Sequence, residues 1–272
     1  MDVLDVTIVD IALPHAQRDL GFSHGDRQWI VTAYSLAYGS LLLLSGRVCD
    51  LVGHRTMLLT GLVAFACGSA LGGAAPGFAV LVTARALQGT AGAIPAPAAL
   101  SPLSTTFTQT KERAKASAVF GAISGSGAAV GMLLGGILTQ YLNWRSTLYV
   151  NVVIAAVALI GTLLLIPRQT TPAQRPRPDT PGALIASAGL LSIAYGFADV
   201  EAHSWSATST WGFLAAGAVL LAGFTRWQTR ATNPLLPLRI PADRTRGGAH
   251  LAIFISGIGL FARSRSSTTT SR

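Results

Sequence analysis

The sequence predicts an all-α integral membrane protein, a bundle of helices packed side by side in lipid. Three observations carry that reading. Of 272 residues, 50% are hydrophobic and 11% charged, whereas soluble domains carry about 25% charged residues. The apolar residues gather into runs close to the roughly 20 residues a helix needs to cross about 30 Å of hydrocarbon. None of those runs alternates with the period of two that marks a barrel strand. In lipid an open segment must satisfy its own backbone, and only a helix does so.

The runs cover 3–14, 29–45, 57–75, 80–103, 116–141, 147–166, 181–198, 211–224 and 251–262, with polar or Gly/Pro turns between them. The first and last are short: a 12-residue helix rises only about 18 Å. After the last run come three Arg, four Ser and three Thr over 263–272, a composition no helix carries through a membrane. Both ends therefore read as cut, and the tail as out-of-frame or a fragment boundary. The turn at Gly46, Arg47, Val48, Cys49, Asp50, Leu51, Val52, Gly53, His54 and Arg55 reads as a short basic loop pinned between the second and third spans.

The net charge is +9 and the isoelectric point about 10.5, yet the basic residues sit in short loops without interleaved aromatics, which excludes a nucleic-acid partner. One set of alternate loops holds Arg47, Arg55, Lys111, Arg113, Lys115, Arg168, Arg175, Arg177, Arg226, Arg230, Arg239, Arg244 and Arg246; the other holds only Arg18, Arg27 and Arg145. That asymmetry predicts a cytoplasmic first set and places the positive charge at the inner leaflet. Cys49 and Cys67 read as free thiols. The five histidines are scattered and suggest no metal site. No glycine run ends in Gly-Lys-Ser/Thr, and neither a Gly-x-Ser-x-Gly elbow nor a His-Glu-x-x-His helix occurs, so neither an ATP-driven pump nor an enzyme is expected.

Gly46, Asp50, Gly53 and Arg55, spaced Gly-x-x-x-Asp-x-x-Gly-x-Arg, resemble the loop between the second and third spans of the major facilitator superfamily. The stretch 4–14, Leu-Asp-Val-Thr-Ile-Val-Asp-Ile-Ala-Leu-Pro, is similar to the first-span motif of the fourteen-span drug:proton antiporters in that superfamily. Residues 85–93 and 127–136 resemble their fourth- and fifth-span motifs, and 233–239 the segment after their two extra central spans. The chain departs from the pattern at Asp10, Leu51 and Met132, where the family usually has Asn, a basic residue and often Pro. The resemblance implies a major-facilitator-type bundle: an N-terminal six-helix half over 1–167, a cytoplasmic linker over 168–180, two extra spans over 181–226, a cytoplasmic loop over 227–247 and the start of a second half over 248–262. It implies a multi-pass protein of a bacterial-type inner membrane that exports amphipathic or cationic small molecules on the proton gradient, with no bound cofactor. The alternatives are a truncated, transport-inactive remnant and a metabolite carrier of the same superfamily.

On that basis Asp5 and Asp10 are candidate proton carriers, since burial suits a carboxyl to bind and release protons near neutral pH. They lie about 140° apart on a helix wheel. Arg85 and Asp10 are both within a few residues of the outer ends of their spans, so the expected ion pair is Asp10–Arg85. Gln88, Gly89 and Gly92 share the face of Arg85. Asp50 and Arg55 are expected to pair as a conformational latch. Gly127, Gly131, Gly135 and Gly136 are expected to let the fifth span pack closely and slide.

Overall fold

The computed structural model describes residues 1–99, 109–167, 179–203, 205–231 and 235. The end of the fourth apolar run, most of the linker 168–180, most of the loop 227–247, the stretch 248–262 and the tail 263–272 lie outside the described residues. Among the described residues the bounded helices are, in order, α1 (Asp2–Leu20), α2 (His24–Val52), α3 (His54–Gly73), α4 (Phe78–Gly92), α5 (Thr110–Tyr141), α6 (Arg145–Leu165), α7 (Thr180–His203) and α8 (Thr208–Gln228). No strand occurs among the described residues. Among the described residues six helices, α2, α3 and α5 to α8, are long and apolar enough to cross a membrane.

The two others have a physical reason to miss that criterion. α1 carries Asp2, Asp5, Asp10, Arg18 and Asp19 along its 19 residues, and α4 has 15 residues with Arg85 near its middle. Polar and charged side chains lie inside the bundle beside apolar ones, while large apolar side chains cover its outside. Buried positions include Asp5, Ser69, Arg85, Gln88, Thr147 and Asn151, while Ile123, Leu133, Val157 and Val219 are turned outward and more than 60% exposed. Lipid as solvent accounts for that arrangement.

Turns between helices follow local chemistry. α1 ends at Gly21 in the left-handed region (φ 69°), whose N–H donates to the Gln17 carbonyl at 3.0 Å. Ser23 and Asp26 then form a reciprocal capping box that starts α2. α1 continues through Pro14, although proline removes the donor that the carbonyl four residues earlier needs. Its 19 residues make it longer than the apolar run 3–14, because the helix extends beyond the apolar residues into polar sequence.

The expected loop at 46–55 is instead mostly helix. α2 runs to Val52, and only Gly53, at φ 97°, turns the chain before α3 begins. A side chain rarely adopts that φ, so one glycine makes the turn. α1 packs on α5, α2 on α4 and α7, α3 on α4 and α6, and α7 on α8. One apolar cluster (Val9, Leu13, Ile30, Leu81, Trp144 and Leu148 among others) seals one end of the helices, and another (Cys49, Met57, Leu58 and Ala98) seals the opposite end.

Candidate functional site

Between those clusters five helices contribute a buried polar site. Asp5 of α1 is fully buried and its carboxylate is wholly engaged. Its Oδ2 accepts from Arg85 Nη1 at 2.6 Å; its Oδ1 accepts from Asn151 Nδ2 at 2.5 Å and from Gln88 Nε2 at 3.3 Å. Arg85, 1% exposed, also donates from Nη1 to Gln88 Oε1 at 3.1 Å and from Nε to the Ile30 carbonyl at 3.4 Å. Its guanidinium lies 4.3 Å from the centroid of the Tyr34 ring. Gln88 Nε2 completes the network by donating to Ser69 Oγ at 2.7 Å.

Each charge at this depth is tolerable only because the other is present and their remaining polar atoms are bonded. Small residues bring the backbones close enough for this. A Cβ on Gly68 would stand 3.0 Å from Gln88 Cγ, and one on Gly89 would overlap the Tyr34 carbonyl oxygen. α3 and α2 therefore close over α4 at the level of Gln88 and Arg85, excluding water and strengthening the electrostatics inside.

Among the expected site residues, the structure brings Asp5, Arg85 and Gln88 together. Asp10 does not join them. It is exposed, and Arg85 pairs with Asp5 instead. Sequence position alone puts Arg85 level with Asp10, but α4 presents its arginine to the α1 face that carries Asp5, about 140° round from Asp10. Asn151, Ser69 and Tyr34 were not foreseen. Asn151 had a readable signal: it is the one carboxamide in the apolar run 147–166. Ser69 and Tyr34 had none, since their roles depend on which helices meet.

The latch also differs from expectation. Because α2 is continuous through this stretch, Asp50 sits one turn from Arg47 and pairs with it at 3.5 Å, both side chains being at least a third exposed. Arg55, redirected by the Gly53 turn, donates from Nη2 to the Leu163 carbonyl at 3.3 Å, among the last carbonyls of α6. No Asp50–Arg55 pair forms. Gly46 faces Pro97, with ordinary contact for a Cβ at 3.8 Å.

On α5 the glycines divide. A Cβ on Gly131 would stand 3.0 Å from both the Leu4 carbonyl oxygen and Thr7 Cβ, and one on Gly135 would stand 3.2 Å from Ile11 Cδ1. Gly127 faces Leu4 less tightly, at 3.7 Å. Gly136 meets nothing within 4 Å and faces away, because only the four-residue spacing 127, 131, 135 stays on one face. These three line the seam against α1, the helix that carries Asp5.

A helical bundle with a buried carboxylate–guanidinium pair between its first and fourth helices is thus joined to a glycine-turned α2–α3 corner and a glycine seam. The Major Facilitator Superfamily matches residues 1–262. The chain belongs to that superfamily. Among curated relatives, the puromycin resistance protein pur8 of Streptomyces alboniger is 49% identical over 95% of this chain and 51% of its own length. The cephamycin export protein CmcT of Amycolatopsis lactamdurans is 38% identical over 94% of this chain and 53% of its own. The tetracenomycin C resistance and export protein of Streptomyces glaucescens is 36% identical over 88% and 44% respectively. The chain spans about half the length of these relatives. It is a multi-pass membrane protein of a transporter superfamily, and the three relatives above are named for antibiotic resistance or export.

Proposed function

We propose that this chain forms the proton-handling part of a secondary exporter that carries amphipathic antibiotics outward in exchange for protons, of the fourteen-span antiporter type. The proton gradient supplies the energy and no bound cofactor is needed. The basic ends at Arg47, Arg55 and Lys111 to Lys115 face the cytoplasm of a bacterial-type inner membrane, by the asymmetry of basic residues. Relatives exporting or resisting puromycin, cephamycin and tetracenomycin C support small-molecule antibiotics as the substrate class.

The observation that carries the reading is the Asp5–Arg85 pair, buried on both sides. Protonating Asp5 removes the counter-charge of Arg85, while Gln88 Oε1, the Ile30 carbonyl and the Tyr34 ring still hold the guanidinium. The attraction between α1 and α4 then falls in a region of low dielectric, where it is worth most. α1 is free to respond along α5, where Gly127, Gly131 and Gly135 leave no side chains to interlock. Proton binding is thereby tied to a helix movement, which exchange requires.

The test is acid-driven uptake of puromycin into everted membrane vesicles that hold the protein, beside vesicles that hold Asp5→Asn. Uptake abolished by a protonophore and by Asp5→Asn supports the reading. Uptake indifferent to both removes proton coupling.

A further inference from the structure

The network around Asp5 leaves one polar atom over. Asn151 of α6 is fully buried. Its Nδ2 donates to Asp5 Oδ1 at 2.5 Å, yet its own Oδ1 has no hydrogen-bond partner. The nitrogen has to face Asp5, because a charged carboxylate only accepts. That requirement orients the carboxamide and strands its oxygen, and a buried acceptor without a donor carries a cost. Charged Asp5 offers no donor: its Oδ1 accepts from Asn151 and Gln88, and its Oδ2 accepts from Arg85.

Protonation adds one O–H to that inventory. Two other acceptors of the network already hold a donor: Gln88 Oε1 holds Arg85 Nη1 at 3.1 Å, and Ser69 Oγ holds Gln88 Nε2 at 2.7 Å. Asn151 Oδ1 holds none. A carboxylic acid and a carboxamide also match in shape. The acid O–H donates to the amide oxygen while the amide N–H donates to the acid carbonyl, closing a ring of two hydrogen bonds. The bond from Asn151 Nδ2 to Asp5 Oδ1 is already half of that ring.

We propose that Asn151 captures Asp5 once it is protonated, so that the proton transfers α1 from a tie with α4 to a tie with α6. This deepens the proton-coupled reading above and rests on it. The proton bonds to Asp5 Oδ2, the oxygen that Arg85 holds in the charged form, and the ion pair is lost with the carboxylate charge. The carboxyl turns about its Cβ–Cγ bond. Its Oδ2–H then donates to Asn151 Oδ1, while its Oδ1 keeps the N–H of Asn151 Nδ2. Arg85 stays on Gln88 Oε1, the Ile30 carbonyl and the Tyr34 ring. α1 already packs on α6 as well as on α5, so no helix has to be recruited. Loss of the proton reverses the exchange. Asn151 is a positioning residue here: it neither gives nor takes a proton. Among the described residues, the charged and titratable groups within electrostatic reach of Asp5 are Arg85 of α4, Tyr34 of α2 and, on its own helix, Asp2 and Asp10. α6 meets it with the Asn151 carboxamide, which does not titrate.

Infrared difference spectra across a pH titration, on the chain in lipid nanodiscs, test the exchange. Asparagine isotope-labelled at its side-chain carbonyl enters at Asn143, Asn151 and Asn233; Asn143→Ser and Asn233→Gln leave the label on Asn151 alone. Asp5→Asn assigns the carboxyl band of protonated Asp5. As that band appears, the Asn151 carbonyl band is expected to shift to lower wavenumber, because an accepted hydrogen bond weakens the C=O bond. The two changes are expected to share one midpoint, and Asp5→Asn is expected to abolish both. An Asn151 band that stays in place while Asp5 takes up its proton overturns the capture and leaves the proton-coupled reading standing. If Asp5→Asn removes no carboxyl band between about pH 5 and 9, the proton-coupled reading itself fails, and the capture with it.

Discussion

Asp5 and Asp10 lie five positions apart on α1, and that offset decides which of them meets Arg85. Asp5 is enclosed by donors from three other positions, whereas Asp10 stands on the exposed side. Asp5→Asn is therefore expected to flatten the pH dependence of transport, and Asp10→Asn to leave its shape unchanged; proton-driven efflux against pH for the two variants checks this. Arg85→Gln strands a buried carboxylate, a loss of about 3–5 kcal/mol. The double variant Asp5→Asn/Arg85→Gln removes both charges and is expected to lose less than the sum of the two single losses. Thermal unfolding in detergent measures all three. At this scale the sequence revealed the charged residues, because ionisable groups inside apolar runs stand out, but it did not reveal their pairing.

Between elements, spacing matters more than residue type. Gly131→Leu would drive a side chain into the Leu4 carbonyl and Thr7, at an expected loss of about 1–3 kcal/mol, whereas Gly136→Leu enters open space and is expected to change stability by less than about 0.5 kcal/mol. Melting temperatures of the two variants separate the seam from the outward glycine. The central helices make their own hairpin, in which a Cβ on Gly189 or Gly196 would stand 2.9 Å from Leu221 or Leu214. Near the α7–α8 turn, buried Asp199 of α7 accepts from Ser209 and Thr210 at 2.7 and 2.9 Å.

At the opposite end Asp179, just ahead of α7, accepts from the Gly182 amide, Trp227 Nε1 and Gln228 Nε2. Partial burial raises the Asp179 carboxyl, but those hydrogen bonds and the nearby Arg47 charge outweigh it and hold the carboxyl below its ordinary 3.8. A depressed carboxyl stabilises above its unfolded value and loses that contribution as pH falls through the folded one. The Trp227 emission, isolated by difference against Trp227→Phe, is expected to stay constant from about pH 7 to 5 and to shift only below about 3.8. The helices themselves were legible from their apolar runs. The continuation of α2 through 46–52 was not, because a Gly, an Arg and an Asp inside one stretch read as a turn, whereas packing keeps them helical.

The whole molecule is defined by its solvent. Lipid selects helices with apolar exteriors and drives every charge inward or to a membrane surface. Arg145 shows the surface case: it pairs with Asp19 at 3.3 Å, donates to the Ala75 carbonyl at 2.6 Å and thereby ties the ends of α1, α3 and α6 together. Its end of the bundle is expected to face outward and the Arg113 end inward. Single-cysteine variants Leu142→Cys and Arg113→Cys, made in a background with Cys49 and Cys67 replaced by Ser, check this with an impermeant maleimide on intact cells. Labelling of position 142 alone supports the orientation; labelling of position 113 alone reverses it.

What the sequence by itself determined is the class of the fold. Composition and apolar run length are summed along the chain, and the bilayer leaves helices as the answer whichever neighbours each one has. The resemblance of its motifs to those of the superfamily likewise pointed to Asp5, Arg85, Gln88 and the glycines 127, 131 and 135 of α5. Only the tertiary structure decided that Asp5 rather than Asp10 is the partner of Arg85, that Asn151 and Tyr34 complete the site, and that Gly53 alone turns α2 into α3. Those outcomes depend on the rotation of each helix about its axis. That rotation is set by which small residues meet across an interface, and no single helix carries the information.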